Sequence, residues 1–314
     1  MKNIIKSKAW DIQISLKHNC ILYQFSRTLK VADLSNNTIK SSRNVSVDYY
    51  TSLTIVETNA VIVAACAKKN QIDILSLNDL TLIQSMRGNV PRGFRREYCV
   101  IDKDEKNIYY ILYRDGQQKS IVTKFSIETG KEDIIGEFPK TFLFDIKYVE
   151  KKKTCLICGI QFYDKMTKEE VVGEYEIFWM DDFENRILLK NLAQSSYAHA
   201  NKIGFSKEQE ILLFYTTKDR ELIYNLKTNE EIVKLPLDSK VAFSTEDKYI
   251  ACIEQRKFKS IINIYSIIED KIIDEYVLEH KMHDWVHHVG FKAKDSYLVL
   301  RMDEDIYVME LESN

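Results

Sequence analysis

Short apolar segments that recur at a nearly constant spacing constrain the fold of this chain more than any other feature. Each segment is rich in β-branched and aromatic residues and has polar residues near its ends, which is typical of a buried strand. The starts of the segments are on average about 46 residues apart, which indicates an internal structural repeat. The seven segments are CILYQF (20–25), VIVAAC (61–66), IYYILY (108–113), CLICGI (155–160), ILLFYT (211–216), YIACIE (249–254) and YLVLRM (297–302).

The residues around each segment complete a four-stranded unit. A further alternating strand, a polar turn and a last strand follow it, as in FSIETGKEDII (125–135) and YNLKTNEEIV (224–233), where Gly or Asn supplies the turn conformation. A candidate innermost strand precedes it, as in DSKVAFST (238–245) and WVHHVGFKA (285–293). We find no amphipathic segment of ten or more residues with helical periodicity. The sequence therefore predicts an all-β protein.

In its period and its order of strands, the chain resembles the WD-repeat-like or YVTN-like seven-bladed β-propeller superfamily over essentially its whole length. The Gly-His and Trp-Asp signatures of true WD repeats are absent from the blades, because Trp10 and Asp11 open an innermost strand. The hydrogen-bonded tetrad of those repeats is therefore not expected. The resemblance implies one domain over residues 1–314, built from seven four-stranded antiparallel blades.

The blade boundaries follow from the repeat, and the two ends of the chain share the last blade. Residues 306–314 leave no sequence for an outermost strand, so we expect residues 2–8 to complete that blade and to remove an open sheet edge. The predicted blades are approximately 9–45, 49–87, 96–138, 142–190, 197–235, 238–278, and 283–314 together with 2–8.

The composition and the positions of the cysteines limit the classes of protein to which this chain can belong. The chain has 45 basic and 47 acidic residues, so its net charge does not favour nucleic acid or a membrane. The first residues lack the apolar run of a secretory signal, and no apolar stretch approaches 18 residues. All six cysteines lie in apolar, strand-like runs, which is typical of buried thiols in a reducing compartment. We expect a cytoplasmic monomer without a cofactor.

The Cys155–Cys158 pair and the histidines at 280, 283, 287 and 288 are the two candidate metal or redox clusters. Positions i and i+3 of a strand face opposite sides, so the two thiols diverge. The histidine spacing matches no zinc motif, and we interpret these residues as structural neighbours of a core Trp285. We therefore predict no metal site.

Charged loops indicate where a partner binds. In a propeller, the loops that enter each innermost strand and those between strands two and three lie on one face, here called the top. Three top segments are basic, at 86–97, 67–71 and 255–260, whereas turns between strands three and four are acidic. Arginine beside an aromatic residue is enriched at interface hot spots. The predicted binding residues are Lys68, Lys69, Arg92, Phe94, Arg95, Arg96, Arg256 and Lys257.

Two classes of function remain open at this stage. The first is a protein-binding module, either a scaffold or an inhibitor, whose partner has an acidic surface. The second is a hydrolase or lactonase-like enzyme, with or without a metal, at the mouth of the central channel. The chain contains no GxSxG, phosphate-binding loop, Rossmann fingerprint or HExxH motif, so we favour binding over catalysis. The residues predicted to approach the channel mouth are Asp11, Tyr50, Asp145, His199 and Asp284.

Overall fold

The strands and turns of the protein are seen in a computed structural model. The residues that it describes are 2–5, 12–45, 50, 52–66, 71–87, 94–114, 118–149, 151–162, 173–189, 203–206, 208, 210–216, 219–244, 248–281, 285–292, 296–302 and 306–311. Over these ranges the secondary structure is entirely β, and no helix long and apolar enough to cross a membrane is present.

Residues Trp10–Lys190 form one compact unit. It contains four antiparallel sheets of four strands each, and in every sheet the strands are paired in chain order. We name these sheets blades 1 to 4. The strands of blade 1 are β2 (Ile12–Ser15), β3 (Cys20–Phe25), β4 (Thr28–Asp33) and β5 (Ile39–Asn44), and those of blade 2 are β6 (Ser52–Val56), β7 (Val61–Cys66), β8 (Gln71–Ser76) and β9 (Leu82–Arg87). The strands of blade 3 are β10 (Phe94–Ile101), β11 (Asn107–Arg114), β12 (Lys119–Ser126) and β13 (Glu132–Pro139), and those of blade 4 are β14 (Thr141–Val149), β15 (Thr154–Phe162), β16 (Gly173–Trp179) and β17 (Asp182–Leu189).

Residues Met1–Ala9 and Asn191–Asn314 form a second compact unit, with three four-stranded antiparallel sheets that we name blades 5 to 7. Their strands are as follows: blade 5, β18 (Ile203–Phe205), β19 (Ile211–Thr216), β20 (Glu221–Asn225) and β21 (Glu230–Leu235); blade 6, β22 (Lys240–Phe243), β23 (Tyr249–Arg256), β24 (Lys259–Ser266) and β25 (Lys271–Glu279); blade 7, β26 (His288–Lys292), β27 (Tyr297–Arg301), β28 (Ile306–Glu310) and β1 (Lys2–Ile5).

The seven apolar segments are the second strands of the seven sheets, and the predicted all-β fold of four-stranded blades is confirmed. These segments are apolar at successive positions because neighbouring residues face different cores. In β7, Ile62 and Ala64 pack in the cluster shared by blades 1 and 2, whereas Val63 and Ala65 pack in the cluster shared by blades 2 and 3. Burial on both faces of a strand requires such a continuous apolar run. The prediction of a single domain over 1–314 stays a prediction.

Hydrogen bonds also link blades 1, 2 and 3, at the turns between their first and second strands. The Ser15 hydroxyl donates to Oε2 of Glu57 at 2.6 Å, which joins blade 1 to blade 2. The Glu105 carboxylate accepts the backbone N–H groups of Glu57 and Thr58 at 2.8 and 2.7 Å, which joins blade 3 to blade 2. Each carboxylate thus satisfies polar groups of the preceding blade, so the turns have a defined geometry.

The strand β1 lies at the outer position of blade 7, where the sequence predicts it. Lys2 is opposite Val308, Asn3 is opposite Tyr307 and Ile5 is opposite Ile306, in antiparallel register with β28. The paired segment ends at Ile5, so the part of the predicted strand over 6–8 lies outside the described residues.

Deleting residues 1–5 should lower the melting temperature of the protein. The truncation removes β1 and exposes the backbone hydrogen-bonding groups along one edge of β28, so we expect a decrease of at least about 5 °C. Thermal unfolding followed by circular dichroism measures it. Replacing Lys2 and Asn3 by alanine keeps the backbone pairing and is the control. An unchanged melting temperature of the truncated chain would show that β1 contributes nothing to blade 7.

Candidate interaction surface

Several residues predicted to bind or to react fall outside the part of the chain that the structure describes. These are Asp11, Lys68, Lys69, Arg92, His199 and Asp284. The remaining predicted residues are distributed over blades 2, 3, 4 and 6.

The predicted basic loop over 86–97 is wrong in its extent. The strand β9 continues to Arg87 and β10 begins at Phe94, so only residues 88–93 connect the two strands. Phe94 is opposite Arg114 and Arg95 is opposite Tyr113 in the ladder with β11. The long second strand β11 offers backbone partners to these residues, and main-chain pairing extends the sheet into the segment interpreted from its charges as a loop. Phe94, Arg95 and Arg96 therefore belong to a strand.

Tyr50, one of the residues predicted to approach the channel mouth, is buried. Its hydroxyl donates to Oδ2 of Asp73 at 2.7 Å, while Gln71 and Ser85 donate to Oδ1 at 2.6 and 2.7 Å. Burial and the hydrogen bond to Asp73 both raise the pKa of Tyr50 above its usual range. Because the Asp73 carboxylate has three donors, the network is satisfied internally and stabilises blade 2. Asp145, in blade 4, accepts the backbone N–H of Ile146 at 2.9 Å.

The six cysteines are buried free thiols, as expected from their apolar surroundings. Burial raises the pKa of Cys20 to about 11 and that of Cys252 to about 12, so both are protonated at neutral pH. Cys155 and Cys158 lie in β15, and burial also raises the pKa of each thiol. A protonated, buried thiol is a poor nucleophile and a poor metal ligand, which favours a packing role for these four cysteines.

The turn between β23 and β24 differs from a usual β-hairpin turn. Arg256 is opposite Lys259, so the loop consists only of Lys257 and Phe258, and neither residue has a positive φ. Two-residue hairpin loops favour Gly, Asn or Asp because their common conformations require a positive φ. Phe258 nevertheless occupies the tip, with 56% of its surface exposed. The Phe258 ring is therefore exposed to solvent, although the conformation of the turn does not require an aromatic residue at this position.

Two further apolar side chains are exposed at the same end of blade 6. Leu237 lies in the turn that enters β22 and is 46% exposed, and Trp285 lies in the segment that enters blade 7 and is 38% exposed. We name Leu237, Phe258 and Trp285 together the apolar triad. All three lie on loops that enter a first strand or that join strands two and three, which are top loops in the sense defined above.

The side chain of Gln255 holds these three loops in a defined arrangement. Its Nε2 donates to the carbonyl oxygen of Asp238 at 3.0 Å, and its Oε1 accepts the backbone N–H of Val286 at 2.8 Å. The first bond fixes the loop that carries Leu237, and the second fixes the loop that carries Trp285. Since only Arg256 separates Gln255 from the Lys257–Phe258 turn, a single amide group connects all three loops.

His280, which follows β25, forms hydrogen bonds that hold the Phe258 turn in place. Its backbone N–H donates to the carbonyl oxygen of Phe258 at 3.0 Å. Its ring Nδ1 lies 2.9 Å from the carbonyl oxygen of Lys281, and its Nε2 lies 3.1 Å from the Ser260 hydroxyl. A carbonyl oxygen only accepts, so Nδ1 donates to Lys281, while Nε2 shares a hydrogen bond with the Ser260 hydroxyl. His280 therefore serves to position the Phe258 turn.

An open pocket of about 470 Å³ lies between the Phe258 turn and the end of β25. Its lining contains three cationic side chains against one carboxylate, and the residues are Arg256, Lys257, Phe258, Lys259, Glu279 and His280. Arg256 donates through Nε to Glu254 at 2.8 Å, and the Lys257 ammonium lies 5.4 Å from the centroid of the Phe258 ring. The structure thus brings Arg256 and Lys257, two predicted binding residues, to one pocket.

The expectation that Trp285 belongs to the core is wrong. Its neighbour Val286 is buried, while Trp285 and His287 are exposed. The hydrogen bond from Val286 to Gln255 sets which face of this extended segment is inward, and the alternation then directs Trp285 outward. Sequence reasoning also missed Leu237 and Gln255. The signal for Phe258 was available, since an aromatic residue at a hairpin tip departs from turn preference.

Comparisons with known proteins bear on the fold. No family model and no curated protein matches the chain. Among solved structures, it is similar to the β-propeller domain of Cps50 (Swd1) from Myceliophteria thermophila, with a TM-score of 0.63, 13% identity, and coverage of 99% of this chain and 98% of that one. The fold is a seven-bladed β-propeller. A hydrazine synthase from Kuenenia stuttgartiensis is also similar, with a TM-score of 0.63, 10% identity, and coverage of 97% and 96% of the two chains.

Replacing Gln255 by leucine should loosen the loops of this surface. The Gln255→Leu side chain has nearly the same size but offers no hydrogen bond to Val286 or Asp238, so we expect a loss of stability of about 1 kcal/mol. Hydrogen exchange of the Val286 amide should accelerate at the same time. The control is Gln84→Leu on the exposed face of β9, which should change stability by less than about 0.5 kcal/mol. Unchanged protection of Val286 would refute the role of Gln255.

Proposed function

We propose that this chain is an intracellular protein-binding module that engages its partner through top loops, and that the surface on blade 6 is one part of the binding site. The proposal includes a monomeric chain that acts without a cofactor, as a scaffold or as an inhibitor. Both roles need the same property, which is a preformed surface of defined shape that a second protein covers.

The apolar triad is the observation that carries this proposal. Leu237, Phe258 and Trp285 come from three separate loops, and Gln255 connects those loops by hydrogen bonds. Exposed apolar side chains rimmed by polar residues are typical of protein-interaction sites. Loops already held in place lose less conformational entropy on binding, which favours affinity. Aromatic anchors beside arginine and lysine also match the composition of interface hot spots.

The enzyme hypothesis has less support from the described residues. It depends on Asp11, His199 and Asp284, all of which lie outside them. Tyr50, which was assigned to the same channel mouth, uses its hydroxyl for the buried Asp73. Catalysis at the channel mouth therefore stays a prediction, and the binding proposal rests on the apolar triad at the top of blade 6 and at the entry to blade 7.

Removing the apolar triad should abolish capture of a partner. Affinity purification from the native host with the wild-type chain should recover a stoichiometric protein. The variant with Leu237, Phe258 and Trp285 all changed to serine should lose it, with a cost of about 2 kcal/mol or more in binding free energy. The matched control changes Ile39, Ile134 and Ile272 to serine, three exposed residues of outer strands. Equal recovery by wild type and both variants would contradict the proposal.

The arginines around the start of β10 in the sequence provide a separate test of the predicted basic binding residues. Changing Arg92, Arg95 and Arg96 together to alanine should weaken partner binding by about 2 kcal/mol or more, because such arginines often act as hot spots. Binding should also weaken between low and physiological ionic strength. The control with equal loss of charge changes the exposed Lys151, Lys152 and Lys153, in the turn between β14 and β15, to alanine. Wild-type affinity of the arginine variant would show that these residues take no part.

A further inference from the structure

We infer that the pocket beside Phe258 binds an acidic segment of the partner protein, with carboxylates on the lysine and arginine side chains and an apolar group on the Phe258 ring. This inference rests on the proposed function and names the chemistry of one contact within it. It is carried by the charge of the pocket, by the placement of Phe258, and by the position of the pocket within blade 6.

The charge of the pocket favours an anion. Arg256, Lys257 and Lys259 line it together with the single carboxylate of Glu279. Within the described part of the chain, the ion pair of Arg256 with Glu254 uses Nε, and neither Lys257 nor Lys259 has a carboxylate within 4.0 Å. Cationic side chains that lack such partners bind the carboxylates of a second protein without first breaking an internal ion pair.

The Phe258 ring adds an apolar contact to the charged ones. It stands at the tip of a two-residue turn, and the Lys257 ammonium lies 5.4 Å from its centroid. The bond from the His280 backbone N–H to the Phe258 carbonyl oxygen fixes the turn against the end of β25. An acidic segment that also carries an aromatic or aliphatic side chain can contact both the cationic side chains and the Phe258 ring of the pocket. An apolar segment leaves the cations desolvated, and a purely acidic segment leaves the ring exposed.

The position of the pocket separates it from the inner strand of the blade. Lys259 begins the third strand, β24, and Glu279 ends the fourth strand, β25, whereas the first strand β22 begins at Lys240. The pocket therefore belongs to the outer half of blade 6 at its top end. The anchor that we infer is distinct from a site at the channel mouth, which the first strands would line.

A labelled acidic peptide tests the inference directly. The probe is a fluorescein-labelled peptide of sequence EDEEFEDED, and fluorescence anisotropy at low ionic strength measures its binding to the full chain. Wild type should bind it, and the double variant with Lys257→Glu and Lys259→Glu should bind at least about tenfold more weakly because charge contacts become repulsive. The variant with Lys240→Glu and Lys271→Glu has the same net charge and should bind like wild type.

Two altered probes separate the contributions to binding. Replacing the phenylalanine of the peptide by serine should weaken binding to wild type and should have little effect on binding to Phe258→Ala. A single-stranded DNA of the same net charge should bind more weakly than the peptide. Melting temperatures of all variants verify that they fold.

The outcomes distinguish this inference from the proposed function. Equal peptide binding by both charge variants, no binding to wild type, or tighter binding of the DNA would each overturn the acidic-segment inference. If partner capture is nevertheless lost with the apolar triad, the proposed function stands and only the chemistry of this pocket is wrong. If the peptide binds as expected and capture is independent of the triad, the proposed function fails while the pocket is a genuine anion site.

Discussion

Burial of both faces of each sheet is the constraint on which this structure depends. In β23, Ile250 and Cys252 pack in the cluster between blades 5 and 6, whereas Ala251 and Ile253 pack in the cluster between blades 6 and 7. A sheet with two apolar faces is unstable alone, because one face would remain in water. A sheet of this kind is therefore stable only when both of its faces are packed, and the repeat of one sequence pattern produces a repeat of one packing arrangement.

This packing restricts the second strands more than it restricts the turns at their ends. Positions within the second strands are limited to residues that fill a core, but the turns have no such limit and are fixed instead by hydrogen bonds. Glu57 and Glu105 connect turns of successive blades, and Gln255 connects three loops around blade 6. Because these bonds use side chains of the scaffold itself, the loops present Phe258 and Trp285 in a geometry that exists before a partner arrives. Pre-organised loops on a rigid sheet are well suited to recognition.

Polar residues inside the blades have a different role from those at the loops. Asp73 accepts three hydrogen bonds in blade 2, and Glu176 in blade 4 is fully buried with the Arg186 guanidinium at 2.9 Å. Such groups are stable only when their partners are complete, since an unpaired buried charge costs about 3–5 kcal/mol. Tyr50 belongs to this class. Its hydroxyl stabilises the interior of blade 2.

The sequence by itself determined the fold class, because continuous apolar runs at a fixed spacing have few structural solutions. The seven runs correspond to β3, β7, β11, β15, β19, β23 and β27, and β1 takes the predicted outer position of blade 7 beside β28. Only the tertiary structure decided which side chains reach the surface. The hydrogen bond of Val286 to Gln255 turns Trp285 outward, and pairing with β11 makes Phe94 and Arg95 part of a strand. The physical reason is the distance along the chain between the interacting residues. Hydrophobic periodicity depends on neighbours within one strand, whereas the orientation of Trp285 and the extent of β10 depend on hydrogen bonds to residues of other strands.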